Sequence, residues 1–365
     1  MWFFLYRRGG KVPKISAEGK DGKVRLGDIG EMGLIKLLSK DTIVSPAGVR
    51  VGIGDDTAVL ELGEDRLLLA TVDMLLEGEH FLPGTMPSKA LGHKALAVNL
   101  SDIAAMGGVA RHALVAIGIP ADREVEEIEA IYAGMKELAR QHGVNIVGGD
   151  TVHSPQGLVL SITVLGEVEE KNLTLRSAAQ VGDKILVTGD LGKSQAGLTL
   201  LLAKGALPLP AAVVREAEEA HYYPQPRLRE IRALLATGAV RAVNDVSDGL
   251  AKDLGEIAES SGVGAELWPE EIPISTSTRA VAAAAGGDPL AYALYGGEDF
   301  ELLFTAAPGG VEALLACGKR EGIPLKVIGE VKPAAAGLTL RWRDGRIQGL
   351  RPGGWDHFQR QGEDR

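Results

Sequence analysis

Asp55 and Asp56 stand side by side after a Gly-Ile-Gly turn, in the stretch VGIGDDTAVL (residues 51–60). A glycine turn of this kind brings bare backbone close to a phosphate, whereas two adjacent carboxylates repel one. The combination recurs along the chain. Asp73 follows the apolar run LLLATV, Asp150 follows IVGG, Asp245 and Asp248 follow VRAV, and Glu298 and Asp299 follow Gly296-Gly297. Each alone is an ordinary turn residue. Gathered together they make a hard-oxygen site of the type Mg²⁺ takes, through a few carboxylates, waters and substrate phosphates. The cation then stands between carboxylate and phosphate, and the two signals in VGIGDDTAVL no longer conflict.

Asp102 points the same way. In KALAVNLSDIAAMGG, Leu91, Ala95, Val98 and Asp102 share one helical face, and Leu96, Leu100 and Ile103 lie opposite. The helix is apolar nearly all round, so a carboxylate on it needs either a metal or a basic partner such as an arginine or Lys94. Familiar phosphate motifs are absent. GIGDDT has Thr57 where a dinucleotide fingerprint has its third glycine, GKS at residues 192–194 has Val187 where a P-loop begins with glycine, and NDVSDG has Gly255 where a calcium loop closes with glutamate. No nucleophile elbow and no paired-histidine zinc helix occurs.

The elements that must present these residues alternate irregularly. Strand-like runs at 49–53 and 67–72 precede a helix that starts with Ser88 as its N-cap and stops at Gly107-Gly108. A strand at 113–119, a helix at 125–142 closed by Gly143, a strand at 144–147 ending in Gly148-Gly149-Asp150, and a strand at 158–166 complete the first half. A polar stretch then marks a domain boundary at 166/167. The second half opens with the strand KILVTG and continues with strands and helices in irregular order, which favours α+β over a regular parallel sheet.

The 365 residues suffice for two domains. A net charge of −10 argues against nucleic acid, and the single cysteine, Cys317, excludes an intrachain disulfide and a multi-cysteine zinc site. Its apolar surroundings predict a buried thiol. The N-terminal apolar run at residues 2–6 is too short for a secretory signal, and no stretch reaches the length of a membrane span. These features predict a cytoplasmic protein with a poorly ordered extension over residues 1–24.

The ordered set GIGDDTAVL, TVDMLLEGEHF, KALAVNLSDIAAMGG, GGDT, VSDGLAKDLG, GGEDFELLF and GGWDHF resembles the thiamine-monophosphate kinase family, from about residue 26 to 358. That family lies in a superfamily with aminoimidazole ribonucleotide synthetase, selenophosphate synthetase and a hydrogenase-maturation protein. The resemblance implies a two-domain α+β fold of the aminoimidazole ribonucleotide synthetase type. An N-terminal domain (25–166) binds Mg²⁺ and ATP and pairs its sheet across a homodimer, and a C-terminal α+β domain (167–365) follows. It implies transfer of the γ-phosphoryl of ATP to thiamine phosphate by direct in-line attack with several Mg²⁺ ions. Residue by residue, it implies Asp56, Thr71, Val72 (by its backbone), Asp73, Asp102, Asp150, Asp245 and Asp248 as metal ligands. Gly149, Asp150, Arg176 and Ser247 would bind ATP, and His80, Glu298 and Trp355 would touch thiamine phosphate. Val72 stands where a hydroxyl residue is frequent in the family, so a side-chain ligand is lost there. No general base is expected, because the acceptor phosphate is already anionic. The alternatives are another ATP-dependent enzyme of the superfamily and a non-catalytic Mg-nucleotide-binding protein. The first is disfavoured by the lack of a reactive cysteine near either end, and the second by the completeness of the carboxylate set.

Overall fold

The computed structural model describes residues 26–40, 42–63, 65–355 and 357–358. The extension expected over residues 1–24 lies outside the described residues. Residues 1–46 with 356–365 form one unit and residues 47–355 another. The first contains helix α1 (Leu26–Leu38). All other elements belong to the second.

The first half of that second unit is built from β1 (Val49–Val51), β2 (Ala58–Gly63), β3 (Arg66–Leu76), α2 (Ser88–Ala105), β4 (Val109–Ile119), α3 (Val125–His142), β5 (Asn145–His153) and β6 (Val159–Glu169). The second half contains β7 (Lys184–Thr188), α4 (Lys193–Ala203), α5 (Ala211–Tyr222), α6 (Leu228–Leu235), β8 (Val240–Asp245), α7 (Leu250–Ser261) and β9 (Val263–Leu267). It ends with α8 (Thr276–Ala284), α9 (Pro289–Tyr295), β10 (Leu302–Ala306), α10 (Val311–Glu321), β11 (Leu325–Pro333), β12 (Leu338–Arg341) and β13 (Ile347–Gly349).

The strands form a six-stranded sheet, β1-β2-β3-β6-β4-β5, and a seven-stranded sheet, β13-β12-β9-β11-β7-β10-β8. Pairing is antiparallel except for β4 with β5 and β12 with β9, so the fold is α+β as expected. In the first sheet the period-2 alternation of β3 and β6 decides the faces. Leu67, Leu69, Thr71, Leu75, Leu160, Ile162, Val164 and Val168 are buried on one side. Val72, Met74 and Leu76 are exposed on the other.

Helix α2 is buried along most of its length. It packs on α3 through two glycines. A Cβ at Gly92 would lie 1.8 Å from the Ile131 carbonyl oxygen, and one at Gly134 would lie 1.9 Å from that of Lys89. Only glycine lets the two backbones approach so closely. The exact start of α2 differs from expectation: Pro87 occupies the N-cap and Ser88 is already helical, with no side-chain cap bond. Gly143 closes α3 in the left-handed region, as expected, and its N–H reaches the Ala139 carbonyl.

Two strand ends also differ. β5 does not stop at Val147 but runs through Gly148-Gly149-Asp150 to His153, because parallel pairing with β4 overrides the turn preference of Gly and Asp. β6 continues to Glu169, three residues past the expected domain boundary at 166/167. Cys317 is buried, as expected. Among the described residues no helix is long and apolar enough to cross a membrane.

Candidate active site

Four elements converge on one carboxylate cluster. Asp56 lies in the turn between β1 and β2, Thr71 and Asp73 lie on the inward face of β3, Asp102 lies near the end of α2, and Asp245 ends β8. Asp56, Asp102 and Asp245 each offer a carboxylate oxygen, and the three oxygens lie within 4.8 Å of one another. At that spacing and an effective dielectric of 20, two ionised carboxylates repel by about 3 kcal/mol or more. Three such pairs cost about 10 kcal/mol, which is the size of a domain's whole stability. The cluster therefore holds protons or a cation.

The proton affinities agree. Burial, then the charges of Asp73, Asp245 and Asp56, push the Asp102 carboxyl well above the ordinary range, against a hydrogen bond from Thr71. Burial and Asp56 push Asp245 up to about 8, and burial pushes Asp73 up to about 6. One observation favours a cation. Asp56 Oδ2 is buried and, among the described residues, accepts no hydrogen bond. A buried carboxylate oxygen without a donor is rare in folded proteins. A hard dication is what this donor set fits.

The other carboxylate oxygens are held in place. Thr71 Oγ1 donates to Asp102 Oδ2 at 2.5 Å, and Ser101 Oγ donates to Asp245 Oδ2 at 2.5 Å. Asn99 Oδ1 accepts from the Asp73 backbone N–H at 3.0 Å. Helix α2 thus grips β3 and β8 through polar side chains on an otherwise apolar rod. Asn99 and Ser101 escaped the sequence reading. Their signal was available, since polar residues flanking Asp102 on a buried helix must each find a partner.

Arg176 is the cation beside the cluster. Its Nη2 donates to Asp56 Oδ1, its Nη1 pairs with Glu256 Oε2 at 2.9 Å, and its Nε donates to Asn244 Oδ1 at 3.1 Å. Asp55 serves the backbone: Oδ1 accepts the Asp56 N–H at 3.1 Å and Oδ2 accepts the Arg176 N–H at 3.3 Å. It shapes the turn and docks residue 176 rather than joining the triad. Glu256 and Asn244 were also missed. Glu256 lies on α7, where its spacing looks like that of any solvated helix face.

The remaining expected residues divide. Asp248 borders the cluster, raising the proton affinity of Asp73, and pairs with Lys252 at 2.6 Å. Trp355 docks there, its N–H donating to the Asp248 carbonyl at 3.3 Å. The loop holding Ser247 is laced to the Gly296–Phe300 loop: Glu298 N–H donates to Ser247 O at 2.7 Å and Phe300 N–H to Val246 O at 2.9 Å. Glu298 is flanked by Lys94 and His221, at 2.7 and 3.5 Å, and its charge is felt by His80. Lys94 is thus the partner of Glu298 and not of Asp102.

Val72 was expected to serve by its backbone, and its side chain points to the opposite face of β3, where it is exposed. Asp150 is not brought to the triad. It pairs in register with Ala116 and is exposed on that same outer face, with Val152 beyond it. Gly149 is where β5 needs glycine, since a Cβ there would lie 1.8 Å from the Val115 carbonyl oxygen.

The raised carboxyls give a prediction with a definite sign. Asp73, Asp55 and Asp245 titrate at about 6, 7 and 8 in the fold against 3.8 ordinarily. Over that window these carboxyls hold more protons in the folded chain than in the unfolded one, so their contribution to stability falls as pH rises from about 4 to about 8, against the smaller opposite contribution of His221. Melting without divalent cations should show Tm dropping across this range. Added Mg²⁺ should raise Tm more at pH 8 than at pH 5. An equal or smaller gain at pH 8 would remove the triad as the binding site.

The chain is similar to known proteins along most of its length. Residues 54–168 match the N-terminal domain model of AIR synthase related proteins and residues 180–340 the C-terminal one. A thiamine-monophosphate kinase of Bacillus subtilis is 36% identical over 329 residues, covering 90% of this chain and 99% of that relative. One of Aquifex aeolicus is 37% identical over 284 residues, covering 77% of this chain and 87% of its own length. Among solved structures, AaThiL complexed with AMPPCP and TMP superposes with a TM-score of 0.78 at 34% identity, covering 92% of this chain and 99% of that one. With both domain models matched and these relatives covered nearly end to end, the chain belongs to the thiamine-monophosphate kinase family of AIR synthase related proteins.

Proposed function

We propose that this protein transfers the γ-phosphoryl group of ATP to thiamine phosphate, giving thiamine diphosphate and ADP. The observation that carries the reading is the buried Asp56–Asp102–Asp245 triad, with its unsatisfied Asp56 oxygen, beside Arg176 in a chain of this family. Asp56, Asp102 and Asp245, with Asp73, Thr71 and Asp248 around them, would hold Mg²⁺, which neutralises phosphate charge during transfer. Arg176 supports the developing charge, oriented by Glu256, Asn244 and the turn that Asp55 shapes. The acceptor phosphate is anionic and attacks in line, so no side chain need remove a proton. His80, Glu298 and Trp355 bind the rings of thiamine phosphate, Trp355 offering a flat apolar face.

The domains we assign are residues 25–166 and 167–365, with the last three residues of β6 crossing that boundary. We also propose a homodimer through the outer face of the first sheet. Val72, Met74, Leu76, Leu114 and Val152 are exposed on that face and Asp150 lies among them. Such an apolar sheet face in water calls for a cover. A dimer would also take Gly149 and Asp150 to the interface, which is where their nucleotide role would be exercised. Val72→Glu should turn the dimer into a monomer in sedimentation at micromolar concentration. An unchanged sedimentation coefficient would count against this face.

The reaction itself is tested by incubating the purified protein with Mg-ATP and thiamine phosphate and separating the products. Thiamine diphosphate with stoichiometric ADP is expected. ADP formation on another phosphate acceptor, with none on thiamine phosphate, would overturn the assignment.

A further inference from the structure

Among the described residues, Lys94 has the largest of the fully buried side chains, 1% exposed, on helix α2. A lysine is rarely buried so completely without a partner that uses it. Its ammonium meets Glu298 Oε2 at 2.7 Å. The Glu298 side chain as a whole is 31% exposed, so the pair lies at the edge of the core rather than in its middle.

The backbone under Glu298 is costly. Glu298 has φ +66° and Phe300 φ +49°, the left-handed region that non-glycine residues avoid by about 1 kcal/mol each. Bonds to Ser247 O and Val246 O pin the loop in that form. Strain held by this many contacts serves to aim a side chain. The other neighbours do not replace the ammonium. Burial and Lys94 lower His221 to about 4, so its ring is neutral near pH 7, and its Nδ1 also lies 2.8 Å from Ser194 Oγ. His80 faces the same carboxylate, with its Nδ1 accepting the Leu76 N–H at 3.1 Å.

We infer that Lys94 is a positioning residue for the acceptor pocket, holding the Glu298 carboxylate where it selects an acceptor with a positively charged ring. The inference rests on the proposed function and deepens it. A carboxylate presented this way favours a cationic thiazolium over a neutral ring of the same shape, because the charge interaction is lost with the neutral one while the packing stays. Helix α2 adds a length constraint. Lys94 and Asp102 are eight residues apart, about 12 Å along the axis. One rigid rod therefore carries the clamp for the rings at one end and a triad carboxylate at the other.

The test uses the full chain, with thiamine phosphate and its neutral thiophene isostere as acceptors. Lys94→Met should raise KM for thiamine phosphate tenfold or more, with KM for ATP changed less than twofold. It should also erase the preference for the charged acceptor over the isostere. Glu298→Gln should do the same, and adding Lys94→Met to it should change the acceptor KM no further. A merely structural lysine would lower Tm and leave the acceptor preference intact, and that result would overturn the inference. Should Lys94→Met alone fail to fold, Glu298→Gln and the double variant decide the matter. A further loss of acceptor affinity in the double variant means Lys94 acts apart from Glu298. Wild-type protein that ignores thiamine phosphate sinks the functional reading itself. Wild-type turnover with an insensitive Lys94→Met sinks only this inference.

Discussion

Asp102→Asn should abolish phosphoryl transfer, lowering kcat/KM on the order of 10³-fold, while the chain stays folded. The amide nearly matches the carboxylate in shape, and its oxygen can still accept from Thr71 Oγ1, which now donates to Asp102 Oδ2 at 2.5 Å. What disappears is a carboxyl whose ionisation is opposed by burial and by the triad within 4.8 Å. An amide carries no such cost, so the Tm of the metal-free protein at pH 8 should hold or rise. The change also removes a ligand, so the Tm gain on adding Mg²⁺ should shrink. The opposite view, that Asp102 is a structural counter-ion, predicts a fall in Tm instead. The geometry speaks against that view, because the buried lysine on the same helix is already paired with Glu298. Initial rates at saturating Mg-ATP, together with melts at pH 8 with and without Mg²⁺, check both halves. Activity within tenfold of wild type, or a clear loss of Tm without metal, would refute the ligand role.

The sequence was most legible where chemistry and burial coincide. Asp102 was readable because a carboxylate on an all-apolar helix has few explanations, and Asp56, Asp73 and Asp245 because each follows an apolar strand. The α+β class followed from the irregular order of elements. What stayed hidden was set by partners distant in sequence. Lys94 was weighed as a partner for Asp102, eight residues away, but meets Glu298, which is 204 residues away. Asn244 and Glu256 hold Arg176 from 68 and 80 residues further along the chain. Gly149-Asp150 looks like a turn by composition, and only pairing with β4 makes it a strand that presents Asp150 on the outer face. Spacing within an element is local information. Which elements meet is not, and the contacts that hold Arg176 and Glu298 in place lie almost wholly in those meetings.

Arg176→Met should separate two roles that the structure superimposes. The guanidinium bonds Asp56, Glu256 and Asn244 at once, and its side chain is only 16% exposed. Methionine keeps the apolar stem and removes the charge, leaving Asp56 and Glu256 uncompensated. Breaking a buried pair in this way costs about 3–5 kcal/mol, so the metal-free variant should melt well below wild type. Mg²⁺ should restore part of that loss, since a dication at Asp56 relieves the same repulsion. Turnover should not return with it. An arginine that supplies charge to a phosphoryl-transfer transition state is worth about 10³–10⁵ in kcat. Arg176→Lys should fall between, because a single ammonium cannot reproduce three divergent contacts. The two curves, Tm against Mg²⁺ and kcat against Mg²⁺, carry the answer jointly. If both recover together, Arg176 is a counter-ion for the carboxylates and the phosphate charge is met elsewhere. If Tm recovers and kcat stays down by orders of magnitude, the arginine acts on the transferring group, and the carboxylates around it serve to aim it.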